Sequence, residues 1–81
     1  MTRYKHSKLT DKQQNEILGA LERLKTEASF SLHTAKRDAD DLRQFVHIMR
    51  ALKFVSAEER NHYIREIDGI IKEAEVECHE F

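Results

Sequence analysis

Proline is absent from this chain of 81 residues, and glycine occurs only at Gly19 and Gly69. Proline removes a backbone donor and glycine loosens a helix, so almost the whole chain is free of intrinsic helix breakers. One cysteine, Cys78, excludes an internal disulfide and fits a reducing compartment better than secretion. Long apolar runs are missing as well. Ile17-Leu18-Gly19-Ala20-Leu21 is the longest near-apolar stretch, far short of the roughly 20 residues of a membrane helix. Thr2-Arg3-Tyr4-Lys5-His6-Ser7-Lys8 has charge but no apolar run behind it, so it does not read as a signal peptide. A single cytoplasmic domain, 1–81, is expected, with no membrane contact.

Neither sign of charge is in excess: 14 Lys and Arg residues stand against 15 Asp and Glu. A dedicated nucleic-acid binder draws most of its affinity from a basic surface, so this balance argues against that class. The distribution is uneven, however. Arg3, Lys5, Lys8 and Lys12 load the first dozen residues against Asp11 alone, giving a basic flexible arm, 1–9, whereas Glu73, Glu75, Glu77 and Glu80 crowd an acidic end, 73–81. Catalytic signatures are also lacking. There is no Gly-x-Ser-x-Gly elbow, no phosphate-cradling glycine loop and no His-Glu-x-x-His. Neither catalysis nor a cofactor is expected.

What the chain does have is an apolar stripe that keeps helical phase. Ile17, Leu21, Leu24, Ala28, Leu32, Ala35, Ala39, Leu42, Val46 and Met49 follow at steps of three or four. The rhythm resumes as Ile64, Ile67, Ile71, Ala74 and Cys78. Such steps keep side chains on one face of an α-helix. Two capping boxes mark helix starts, Thr10-Asp-Lys-Gln13 and Ser56-Ala-Glu-Glu59. Between them, Ala28–Thr34 is poor in strong helix formers, and Asp38, Asp40 and Asp41 resemble a helix start.

The flanks of the stripe decide how the helices meet. If the stripe is an inner seam, Lys36, Arg43 and Arg50 flank it on one helix and Asn61, Asp68 and Glu75 on the last. An antiparallel hairpin about Ser56 then brings Lys36 near Glu75 and Arg43 near Asp68. The other flank is apolar, with Phe45 and Leu52 facing Tyr63 and Ile70, and it needs a third helix. The expected fold is therefore an all-α, up-down-up three-helix bundle with helices over about 11–29, 34–54 and 57–79, the chain reversing near Ser29–Thr34. The alternative is one long helix, 11–54, with helix 57–79, in an obligate dimer.

Five histidines raise the question of metal. Glu59 and His62 have the Glu-x-x-His spacing of di-iron bundles, but there is no second copy and the stripe places the pair on the outer face. Glu58–His62 and Glu75–His79, four apart, suit ordinary surface contacts. Cys78 continues the stripe as a small core hydrophobe. No metal ligands are expected. As a recognition helix, Ala57-Glu-Glu-Arg-Asn-His-Tyr63 opens with two acids where it would meet phosphate.

Phe30, Ile48, Phe54, Val55 and Val76 fall off the seam, and exposed apolar patches on small domains mark partner surfaces. They are the candidate partner-binding residues. The expected function is a non-enzymatic protein–protein interaction module: an adaptor, inhibitor or regulator of the compact, cofactor-free kind common in bacterial and phage regulation. Two other classes compete with it. One is a nucleic-acid-associated accessory protein using the basic arm, and the other a metal-binding bundle assembled across a homodimer from Glu59–His62 and Cys78–His79.

Overall fold

Thr10 opens the first helix as its spacing predicts. Its Oγ1 accepts from the Gln13 N–H at 3.1 Å, and the Gln13 side chain accepts from the Thr10 N–H at 3.0 Å. A computed structural model describes residues 8–79, with the backbone alone of Cys78 and His79. It consists of three mutually packed helices, α1 (Asp11–Phe30), α2 (Leu32–Ala51) and α3 (Ala57–His79). No helix among the described residues is long and apolar enough to cross a membrane.

The chain reverses between α1 and α2 at one residue. Ser31 is extended, at φ −151° and ψ 103°, and serves both helices. Its N–H donates to the Glu27 carbonyl at 2.8 Å, closing α1, while its Oγ accepts from the Thr34 N–H at 3.3 Å, opening α2. A serine side chain that satisfies a free N–H does what a glycine or proline turn would otherwise do. The bundle therefore replaces the continuous helix 11–54, and the acids Asp38, Asp40 and Asp41 lie inside α2 rather than at its start.

α2 stops at Ala51, short of residue 54. The Lys53 N–H donates to the Arg50 carbonyl and the Phe54 N–H to the Met49 carbonyl, each at 2.9 Å. This is a Schellman closure, whose left-handed residue is usually glycine. Here Lys53 holds it, at φ 63°. α3 begins at its expected cap, with the Glu59 N–H donating to Ser56 Oγ at 3.1 Å.

The α2–α3 flank closes as its charges predict. Arg43 binds Asp68 through Nε at 2.8 Å and Nη2 at 2.7 Å, and also takes Asp40 at 2.6 Å. Lys36 Nζ lies 4.0 Å from Glu75. These exposed pairs fix register more than they stabilise, since such contacts contribute at most about 1 kcal/mol each. Stability comes from the seam, where Ile17, Leu21, Leu24, Ala35, Ala39, Val46, Ile67 and Ile71 are buried with Tyr63.

Three expectations about the core are corrected. Leu9 is a core residue, not part of an arm, because the Lys8 N–H donates to the Phe54 carbonyl at 2.8 Å and draws Leu9 under the α2–α3 turn. The rest of the arm, residues 1–7, lies outside the described residues. Val55 is buried in the core, and Phe54 is half-buried against it, because the Schellman closure folds the turn back onto the helices. Glu59 is fully buried, not outward-facing. It lies one turn before Tyr63 on the seam, and its Oε2 accepts from the Tyr63 hydroxyl at 3.3 Å. The seam position of Cys78 concerns a side chain outside the described residues.

Candidate functional site

α1 and α2 run antiparallel from Ser31 with 20 residues each, so Leu52 lies level with Thr10, just beyond the first turn of α1. No α1 side chain reaches over it. Leu52, placed by its sequence position in a covered flank, is 58% exposed, and Ile48, one turn earlier, is 54% exposed. Phe45 is half-buried between the two helices. Phe45, Ile48, Met49 and Leu52 have the spacing by which one helix face offers anchors to a groove or to another helix. Met49 turns inward, leaving Phe45, Ile48 and Leu52 as an apolar ridge.

The remaining sequence candidates do not join this ridge. Phe30 (84% exposed) ends α1 and Val76 (52% exposed) lies near the end of α3, both at the opposite end of the bundle. Val55 and Phe54 belong to the core side of the turn.

Phe45 also leads into a crevice. With Ala20, Leu24 and Leu42 it floors a cavity of about 370 Å³ between α1 and α2, edged by Arg23, Glu27, Asp38 and Asp41. The Glu27 and Asp38 carboxyls meet across the hairpin, and Glu27 Oε2 is buried without a hydrogen-bond partner. The hydrogen bond between the two carboxyls, loss of water and repulsion by Asp38 raise Glu27 above its ordinary value of 4.5, while Arg23 pulls it down. A carboxyl whose pKa is raised by folding binds its proton more tightly in the native state. Its stabilising contribution is therefore full below the unfolded value and is lost as pH rises through the folded one. Glu27→Gln is expected to raise the melting temperature at pH 7 and to lose that advantage near pH 4, as followed by circular dichroism. Equal gains at both pH values would contradict it.

Among the described residues, no group of three or more His, Cys, Asp and Glu could hold a metal ion. The helix parts the Glu59–His62 pair: Glu59 points into the core, and His62 Nε2 lies at the surface 3.8 Å from Glu66. His33 and His47 are exposed. Gly69 has open space where a Cβ would stand, so no close packing within the chain requires it. Comparison with protein-family models, with curated proteins and with solved structures finds no match.

Proposed function

We propose that the chain is a small, non-enzymatic protein–protein interaction module of the cytoplasm. It acts as an adaptor, inhibitor or regulator by docking its α1–α2 face on another protein. The observation that carries this reading is the Phe45–Ile48–Leu52 ridge. Ile48 and Leu52 are each more than half exposed, although the same helix buries Ala35, Ala39 and Val46 on its inner side. Single exposed apolar residues are ordinary, but two a turn apart beside a half-buried aromatic make a surface that gains from being covered. The lone Cys78 is the feature that favours a reducing compartment.

The test is capture from a lysate of the source cell by the immobilised chain. Ile48→Glu is expected to cut recovery of a specific protein at least tenfold while leaving the melting temperature of the chain unchanged, because the side chain faces solvent. Phe54→Ser does not serve for this, since Phe54 packs on the core and its change would disturb the turn. Undiminished capture by Ile48→Glu would remove the ridge from the interface.

A further inference from the structure

We infer that the α1–α2 face takes a helical segment of a partner protein with apolar anchors along its length and Lys or Arg at one end. This rests on the reading of Phe45, Ile48 and Leu52 as a docking ridge, and adds the chemistry of the occupant. Phe45 joins two features that are otherwise separate, since it ends the exposed ridge and floors the crevice between the helices. Ridge and crevice form one track from Leu52 to Asp38. At about 1.5 Å per residue this is about 21 Å, the length of roughly four helical turns.

The two ends of the track differ in charge. At the Leu52 end the surface is apolar. At the Asp38 end Glu27, Asp38 and Asp41 stand around the crevice against one cation, Arg23. The cations on the other flank of α2 are engaged elsewhere, Lys36 with Glu75 and Arg43 with Asp68 and Asp40. The bundle thus closes its α2–α3 flank with ion pairs, while its α1–α2 crevice is lined by three carboxylates and one cation, with Arg37 exposed one turn before Asp41. Glu27 Oε2, buried and lacking a donor, is the atom to which an incoming guanidinium or ammonium would bring one. A cation there would also relieve the repulsion between Glu27 and Asp38. A second copy presenting this face brings Arg23 alone against three carboxylates of its own, so it fits the charge poorly.

The test is selection from a displayed library of 16-residue helical peptides against the full chain, with light scattering on the chain alone. Peptides enriched in an apolar stripe ending in Lys or Arg are expected. Their affinity should fall at least tenfold in the Glu27→Gln/Asp38→Asn double variant, fall with added salt, and be lost in Ile48→Glu. Apolar binders lost in Ile48→Glu but indifferent to the double variant would overturn the basic occupant and leave the ridge standing. Binders indifferent to Ile48→Glu, or no binders, would overturn both. A dimer made monomeric by Ile48→Glu would assign the face to a second copy and overturn the inference. Both variants change exposed or half-exposed side chains, and unchanged helical circular dichroism confirms that each is folded.

Discussion

Ile67→Ala is expected to destabilise the bundle by about 2–5 kcal/mol, the usual cost of emptying a fully buried isoleucine site. Ile67 has no solvent exposure and lies midway along α3, the helix that packs on both α1 and α2. The Arg43–Asp68 and Lys36–Glu75 pairs set Ile67 level with Leu42 and Val46 on α2, both already packed in the core. A domain of this size holds on the order of 4–12 kcal/mol in total. The loss therefore lowers the melting temperature by tens of degrees or leaves the chain unfolded at room temperature. Urea denaturation followed by circular dichroism measures it. Val76→Ala, on the outer face of the same helix, is the control and is expected to stay within about 0.5 kcal/mol of the parent. Similar midpoints for the two variants would show that α3 does not bury the face assigned to it.

Leu9→Ala is expected to cost about 2–5 kcal/mol as well, although the residue precedes the first helix. Leu9 is almost wholly buried, and the hydrogen bond from the Lys8 N–H to the Phe54 carbonyl ties its strand of chain to the α2–α3 turn. This residue closes the end of the core where α1 begins and where Val55 enters from the turn. The measurement is again a urea midpoint, with Lys8→Ala as the partner variant. Lys8 is exposed and contributes its backbone, so its change should be nearly neutral. If Leu9→Ala proved as mild as Lys8→Ala, the start of the chain would be the dispensable arm that its charges suggest.

The pairing of α2 with α3 was legible in the sequence because it is written in side chains of opposite charge on matched flanks. Arg43–Asp68 and Lys36–Glu75 formed as their spacing implied. Arg50, at the matching position to Asn61, instead reaches the Val55 carbonyl at 3.5 Å. It stands in the last turn of α2, beside the turn that carries Val55, so that carbonyl lies within its reach. The end of α2 was not legible, because its left-handed closing residue is a lysine and carries no glycine signal. Glu59 was missed for a related reason. A stripe counted in apolar residues stops at Ile64 and Tyr63, whereas the geometric stripe runs one turn further and buries a carboxylate against a tyrosine hydroxyl. Of the exposed apolar ridge, Ile48 could be read from its off-seam position. Leu52 could not, since its exposure depends on how far α1 extends, and that is set by where the chain turns.

That turn is one residue long. Every residue from Asp11 to Ala51 except Ser31 is helical, so two backbone dihedrals separate the hairpin from a straight rod. In a rod α1 loses the partners it has in its own chain, and an identical α1 from a neighbour fits the vacancy with every core contact unchanged. A rod would therefore need a second copy to bury its seam, and only a rise in protein concentration could favour it over the capped hairpin.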